Sequence, residues 1–247
     1  MITTMIFDLD GTLVQTERLK AISYAKAAVL LCPDELEETA VVEAFRDVVG
    51  LSRHEVANAL VERFNLELKA SQKMTELGVS TPWQAYVQIR LQIYEKMLAD
   101  PEVIRSNQWH HNLALLDLAR AHCRHVGLAT MSHCPQVQRV LSILELSTAF
   151  DFVATRDDVE KGKPDPEIYH LVARELGVTP PACLVIEDSP TGVQAALNAG
   201  MHVLAVSTPF TRDRLHQSGL LPADLIVDDP NQVTAVAQQL IDQQAAQ

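Results

Sequence analysis

The stretch Thr4-Met5-Ile6-Phe7-Asp8-Leu9-Asp10-Gly11-Thr12 decides the fold, because an apolar run ends here in two carboxylates and a glycine. The run Thr4–Phe7 predicts a buried strand. Side chains two residues apart on a strand share a face, so Asp8 and Asp10 can point into one site. Two anions at that spacing repel each other unless a cation or a shared proton relieves the repulsion. Gly11 lets the chain leave the strand along a path that a side chain would obstruct. The stretch therefore predicts a strand of a parallel sheet with a ligand at its carboxyl end.

Composition limits the classes of partner. The 247 residues are 47% hydrophobic, which is enough for a sizeable core and a two-part architecture. The formal net charge of −12 argues against a nucleic-acid or membrane-surface binder, since both need a basic face. It leaves open an anionic small-molecule substrate, because a site can be locally positive on an acidic protein. No apolar stretch approaches the length of a membrane span. We expect no nucleic-acid partner, no membrane partner, and a monomer or weak dimer.

The cysteines indicate the compartment. They are scattered, with no CxxC pair, at Cys32, Cys123, Cys134 and Cys183. No signal peptide stands ahead of the first strand. The sequence therefore predicts reduced thiols in a cytoplasmic protein.

The pattern of apolar and polar residues predicts helices in the first part of the chain and alternating strands and helices in the second. Residues 15 to 106 read as almost wholly helical, and beyond about residue 110 short apolar strands alternate with helical segments. The predicted helices of the first region are Glu17–Leu31, Glu35–Val49, Arg53–Phe64 and Trp83–Leu98, with breaks at Pro33, Gly50, Gly78-Val79-Ser80 and Pro101. The predicted strands of the second are Val126–Ala129, Phe152–Ala154, Leu184–Ile186, Val203–Val206 and Leu225–Val227.

Alternation of this kind predicts an α/β fold, a doubly wound parallel sheet wrapped by helices. The first strand belongs with that sheet, so the helical block is an insertion after it. We predict a catalytic core of residues 1–15 and 107–247 and a helical cap of residues 16–106.

Three further groups of polar residues follow predicted strands or lie in loops that leave the sheet. Thr130, with Met131 and Ser132, follows the strand Val126–Ala129. Lys163 lies in the loop Lys161-Gly162-Lys163-Pro164-Asp165-Pro166, and Glu187-Asp188 delivers a second carboxylate pair at the end of another strand. Each has an ordinary explanation alone, such as a strand-end hydroxyl, a solvated lysine or a charge bias at a helix start. Their joint occurrence at these positions is specific.

Together these residues resemble the four motifs of the haloacid dehalogenase superfamily of phosphohydrolases, in the subfamily with a helical cap inserted after the first motif. The match spans Asp8 to Gly192, and the nearest group is that of β-phosphoglucomutase and related sugar-phosphate phosphatases. The resemblance implies a Mg²⁺-dependent phosphatase of a small phosphorylated metabolite, with a phosphoglucomutase as the alternative.

The resemblance also implies a role for each residue. Asp8 would be the nucleophile that forms an aspartyl-phosphate, and Asp10 the general acid and base. Thr130 with Met131, and Lys163, would hold the phosphoryl group. Mg²⁺ would be held by Asp8, Asp188 and a backbone carbonyl of Asp10, with Glu187 beside it, and this oxygen donor set suits the ion.

The cap departs from the mutase pattern. Lys20 stands where β-phosphoglucomutases carry a histidine, and Cys134 stands where they offer an amide. The segment Gly50-Leu51-Ser52-Arg53 resembles the mutase loop whose arginine binds a second phosphate, so Lys20, Arg53 and also Ser132 are candidate substrate-binding residues. Arg90 could point to the cleft, but an exposed helix face is the favoured interpretation. Losing the histidine and the amide favours a phosphatase over a mutase.

Other classes fit less well. A calcium loop counted from Asp8 would have Leu13 and Leu19 where it needs Gly and Glu. A phosphorylated receiver domain is disfavoured by the order of the motifs and by the large helical insertion. A catalytically quiet interaction module is disfavoured because every core residue is present. The histidine clusters, His110-His111, His122 with His125, and His133, lack the spacing of a tetrahedral metal site and are interpreted as solvated or packed.

Overall fold

The structure is a computed structural model that describes residues 1–49 and 51–245. It divides into two compact units, which we call the α/β unit (Met1–Gln15 and Ile104–Gln247) and the helical unit (Thr16–Val103). The helical unit thus lies in sequence between the first strand and the rest of the sheet. The predicted helix break at Gly50 falls outside the described residues.

The α/β unit is built on one parallel sheet of six strands in the order β3-β2-β1-β4-β5-β6. The strands are β1 (Thr4–Phe7), β2 (His125–Ala129), β3 (Phe152–Ala154), β4 (Cys183–Glu187), β5 (His202–Val206) and β6 (Ile226–Val227). In register, Phe7 pairs with Leu128 of β2 and with Ile186 of β4, so the carboxyl ends of these three strands lie at one edge. The order reverses between β1 and β4, which is where such sheets bind ligands.

The helices follow in chain order. They are α1 (Thr16–Leu31), α2 (Glu38–Phe45), α3 (Arg53–Arg63), α4 (Glu67–Leu77), α5 (Pro82–Ala99), α6 (Pro101–Arg105), α7 (His110–His122), α8 (Cys134–Ile143), α9 (Glu167–Glu175), α10 (Pro190–Asn198), α11 (Arg212–Ser218) and α12 (Val233–Ala245). No helix in the described ranges is both long and apolar enough to cross a bilayer.

Close packing joins helices to the sheet. Every residue of β1 and β4 is buried, as expected for central strands covered on both faces. A Cβ on Gly127 of β2 would overlap the Cγ1 of Val172, so α9 packs directly against the backbone of that strand. Because α9 packs here, the loop before it lies near the carboxyl ends of the strands.

The helical unit has an aromatic centre. The Tyr24 ring lies 5.6 Å from both the Phe45 and Tyr86 rings, measured between centroids. The buried Tyr86 hydroxyl donates to the backbone oxygen of Tyr24 at 2.8 Å, which satisfies its polar end. At the start of α3, Ser52 and Glu55 form a reciprocal capping box.

The predicted α/β class with a parallel sheet is confirmed. Each predicted strand overlaps an observed one, although Leu225 lies in a short 3₁₀ turn ahead of β6. The predicted helix Glu35–Val49 is wrong at both ends, because α2 spans only Glu38–Phe45. Helix α4 was not predicted: Ala70 is its one buried residue, so no apolar stripe marks it.

Candidate active site

The nucleophile candidate Asp8 sits directly after β1 at the reversal point of the sheet. Its backbone N–H donates to Ile186 O at 3.0 Å, which extends the strand pairing by one residue and fixes its direction. Its residue surface is 5% exposed. A carboxylate this deeply buried is costly unless a cation or a proton neutralises it.

Lys163 supplies that cation from the loop before α9. Its Nζ donates to Asp8 Oδ1 at 2.8 Å, to Glu187 Oε1 at 2.7 Å and to the Ala129 carbonyl at 3.0 Å. An ammonium has three hydrogens, so all three are used. The lysine therefore bridges the carboxyl ends of β1, β2 and β4.

Glu187 is held by hydrogen bonds on both carboxylate oxygens. Oε2 accepts from the backbone N–H groups of Asp188 and Ser189 and from the Ser189 hydroxyl. Oε1 accepts from Lys163 and from the Tyr169 hydroxyl. A Cβ on Gly192 would overlap this carboxylate, so glycine is needed there for close approach. These contacts make Glu187 an anchor for the lysine.

Asp10 accepts hydrogen bonds from two hydroxyls. Its Oδ2 accepts from the Thr130 hydroxyl at 3.0 Å and from the Ser132 hydroxyl at 2.7 Å. The chain turns directly after Asp10, at Gly11, whose φ of +87° lies in the region that favours glycine. Asp8 thus contacts the Lys163 ammonium, and Asp10 contacts the hydroxyls of Thr130 and Ser132.

The electrostatics follow from one cation serving two buried carboxylates. Burial raises the pKa of Asp8 to about 8, although Lys163 acts in the opposite direction. Burial alone would lower the pKa of Lys163, but the Asp8 and Glu187 carboxylates outweigh it and raise that pKa well above its usual value. The lysine stays charged, and one cation between two buried carboxylates leaves negative charge that further positive charge would neutralise.

A divalent cation would supply that charge, and the donor set fits one. Asp8, Glu187 and Asp188 each offer a carboxylate oxygen, and these atoms lie within 4.8 Å of one another. Hard oxygen donors suit Mg²⁺. A Cβ on Gly11 would overlap the Asp188 carboxylate, so the backbone leaves room for that group by lacking a side chain. Within the described residues this is the one such group of His, Cys, Asp or Glu.

Comparison with known proteins agrees with this geometry. A family model described as haloacid dehalogenase-like hydrolase matches residues 2–200. The chain belongs to the haloacid dehalogenase-like hydrolases. The family predicted from the four motifs is therefore confirmed, and with it an enzyme of the haloacid dehalogenase type.

Two curated relatives of this hydrolase carry phosphatase names. The phosphorylated carbohydrates phosphatase of Thermotoga maritima is 29% identical over 197 residues, covering 80% of this chain and 81% of the relative. A probable pseudouridine-5'-phosphatase of Drosophila melanogaster is 28% identical over 221 residues, covering 84% and 83%. The crystal structure of a putative β-phosphoglucomutase from Thermotoga maritima superposes with a TM-score of 0.69 at 24% identity, covering 97% of this chain and 100% of that one, which shows a shared fold.

The sequence-predicted residues of the hydrolase core fall into two groups. Asp8, Lys163 and Glu187 form one, with Asp188 at its edge. Asp10, Thr130 and Ser132 form the other. Met131, in the loop after β2, contacts the first group, because its Sδ accepts a hydrogen bond from the Lys163 backbone N–H at 3.4 Å.

The candidates outside the core lie in the helical unit. Lys20 on α1 pairs with Glu17 at 2.8 Å, and Arg53 is the exposed first residue of α3. Burial raises the pKa of the Tyr24 hydroxyl, and the positive charges of Arg90, Arg53 and Lys20 act in the opposite direction. Lys20 and Arg53 are therefore close enough to one tyrosine to act on it electrostatically.

The interpretation of Arg90 as an exposed helix residue is wrong. It is 5% exposed, and its guanidinium carbon lies 4.9 Å from the Tyr24 ring centroid and 4.5 Å from that of Tyr94. Within the described chain it has no ion pair, and its Nε has no hydrogen-bond partner. The available signal was the aromatic spacing, since Tyr86 and Tyr94 stand four residues on either side of it.

Tyr169 is the second residue that the motifs did not reveal. It lies on α9, six residues after Lys163, and is fully buried beside that lysine. The histidines that could suggest a metal site have other surroundings: His110, His111 and His122 are exposed, and His133 pairs with Asp157 at 2.6 Å.

Proposed function

We propose that this hydrolase is a Mg²⁺-dependent phosphatase of a small phosphorylated metabolite, a sugar phosphate, acting through an aspartyl-phosphate on Asp8. The supporting observation is the buried Lys163 shared between Asp8 and Glu187 at the reversal point of the sheet. That arrangement offers a nucleophile and a fixed positive charge to one incoming phosphoryl group. The phosphatase names of the curated relatives support the same reaction.

In this mechanism, Asp8 attacks phosphorus and the sugar oxygen leaves. Lys163 offers its charge to the phosphoryl oxygens, and Thr130 offers a hydroxyl donor. Asp8 and Asp188, with the Asp10 backbone carbonyl, would hold Mg²⁺, which would neutralise the charge between two anions that otherwise repel.

Asp10 moves the proton in both half-reactions. It donates to the leaving alkoxide and later takes a proton from the water that attacks the aspartyl-phosphate. The Ser132 hydroxyl on its Oδ2 holds the orientation of the carboxylate when the Thr130 hydroxyl, which also donates to Oδ2, turns to the phosphoryl group.

Residues 16–106 act as a cap that chooses the substrate, and Lys20 and Arg53 contribute to the choice. Lys20, Arg53 and the buried Arg90 all lie close enough to Tyr24 to lower its pKa, although Glu17 acts in the opposite direction. Three cationic side chains in one part of the helical unit suit a substrate with a second anionic group, which keeps the phosphoglucomutase as the alternative. The enzyme would act in the cytoplasm, as a monomer or weak dimer, on a free metabolite.

A screen of phosphorylated metabolites tests the proposal. Purified protein is assayed with Mg²⁺ for phosphate release, and β-glucose 1-phosphate with its 1,6-bisphosphate is assayed in parallel for isomerisation. Release from several sugar phosphates, absent in Asp8→Asn, supports the phosphatase. Glucose 6-phosphate formed without free phosphate supports the mutase, and an unimpaired Asp8→Asn contradicts both.

A further inference from the structure

Tyr169 touches the candidate site through both its ring and its hydroxyl. The ring centroid lies 5.0 Å from Lys163 Nζ, within the range of a cation–π contact. The hydroxyl donates to Glu187 Oε1 at 2.8 Å. The residue is fully buried, so both contacts are shielded from water, which strengthens them.

The hydroxyl matters because of the oxygen that it meets. Glu187 Oε1 accepts from only two side chains among the described residues, Lys163 and Tyr169. A carboxylate oxygen that receives a second donor holds the first one less tightly. The tyrosine hydroxyl thus competes for the oxygen that draws Lys163 away from Asp8.

The three hydrogens of the lysine make this competition consequential. They are divided among Asp8, Glu187 and the Ala129 carbonyl, and the Glu187 contact is the shortest at 2.7 Å. A phosphoryl group at Asp8 must gain contact with Nζ against that pull. Any group that weakens the pull of Glu187 therefore favours phosphoryl binding.

We propose that Tyr169 is a positioning residue, whose hydroxyl shares the charge of Glu187 so that the Lys163 ammonium stays available to a phosphoryl group at Asp8. This inference rests on the proposed function. It differs from a packing role, which the ring alone would fulfil. Tyr169→Phe separates the two, because it keeps the ring and removes the hydroxyl.

The experiment measures the affinity of inorganic phosphate for the Mg²⁺-loaded protein, by calorimetry and by competitive inhibition. Tyr169→Phe is expected to weaken phosphate binding roughly tenfold, the scale of one hydrogen bond to a charged group, and to lower kcat/KM in parallel. Binding and inhibition constants do not respond to a uniform loss of stability.

Tyr86→Phe is the matched control. Tyr86 is equally buried, and its hydroxyl also makes one hydrogen bond of 2.8 Å, but to the Tyr24 backbone in the helical unit. Both variants are expected to lower Tm, and only Tyr169→Phe to weaken phosphate binding.

A second comparison tests the route through Glu187. In a Glu187→Gln background, the change Tyr169→Phe is expected to alter phosphate affinity less than twofold, because the charge that the hydroxyl shares is gone. This pair also serves if Tyr169→Phe alone folds poorly, since it leaves no buried carboxylate at position 187 that lacks the tyrosine donor.

Two results overturn the inference. Phosphate affinity of Tyr169→Phe within twofold of the wild type contradicts a positioning role, as does a tenfold effect that persists with Gln at 187. A wild-type protein that binds no phosphate with Mg²⁺ contradicts the proposed function as well, so the two failures are distinguishable.

Discussion

Two buried cations, one in each unit, differ in what surrounds them. The Lys163 side chain is 5% exposed and contacts the carboxylates of Asp8 and Glu187. Arg90 is as deeply buried, but its neighbours are the rings of Tyr24 and Tyr94. Lysine in the α/β unit is held by charge, and arginine in the helical unit by aromatic faces.

The difference teaches what each cation contributes to the fold. Removing one partner of a buried ion pair leaves the other charged and unpaired, which is severely destabilising. Arg90 has no carboxylate partner, so removing it leaves no buried charge unpaired, and its cation–π contacts offset only part of the cost of burying the guanidinium. A contribution to folding stability therefore explains why Lys163 is buried, but it does not explain why Arg90 is.

The largest effect is expected from Lys163→Met. It leaves two buried carboxylates without their cation, so we expect the free energy of unfolding to fall by about 3–5 kcal/mol, and phosphate release to be lost. Urea unfolding with EDTA measures the first and a phosphate assay the second. If the free energy of unfolding fell by less than about 1 kcal/mol, as for an exposed ion pair, Lys163 would contribute no more to stability than Arg90 is expected to.

Asp10→Asn tests the residue beside the ion pair. Loss of the general acid and base is expected to lower kcat by about 10²–10⁴-fold. The free energy of unfolding should fall less than in Lys163→Met, because the amide oxygen still accepts from Thr130 and Ser132. Steady-state kinetics and thermal unfolding measure the two. A rate near that of the wild type would remove Asp10 from proton transfer.

The burial of Asp8 also predicts a pH dependence. The pKa of Asp8 is raised from 3.8 in the unfolded chain to about 8 in the folded one. The folded state therefore binds more protons between these values, and the free energy of unfolding should fall as pH rises from 4 to 8. Urea unfolding in EDTA measures this slope. It should be reduced in Asp8→Asn, and an identical slope in that variant would contradict the assignment.

The smallest effect is expected from Arg90→Met. A methionine of similar length restores packing without a buried charge, so stability should change by less than about 1 kcal/mol or rise. The substrate profile of the metabolite screen should change instead. A stability loss as large as that of Lys163→Met, with an unchanged profile, would make Arg90 a structural residue.

Much of the site was accessible from the sequence because its residues follow short apolar runs. Asp8, Thr130 and Glu187 stand at or just beyond the carboxyl ends of strands that periodicity reveals. Burial of Arg90 was signalled only by Tyr86 and Tyr94, four residues on either side of it. Helix α5 buries residues around much of its surface, so no single polar face assigns a side to each residue. The Tyr169 hydroxyl contact joins residues 18 apart in sequence, and no pattern in the chain encodes it.

Gly11 and Gly192 carry a consequence for the family at large. A side chain at either position would overlap a carboxylate at the end of β4, that of Asp188 for Gly11 and that of Glu187 for Gly192. Neither glycine has a side chain that could react, yet a glycine at each position indicates that Glu187 and Asp188 have the positions described here. A relative that retains its aspartates but has acquired a larger residue at either position must have moved those carboxylates. Such positions offer a means of separating working enzymes from descendants that have kept only the fold.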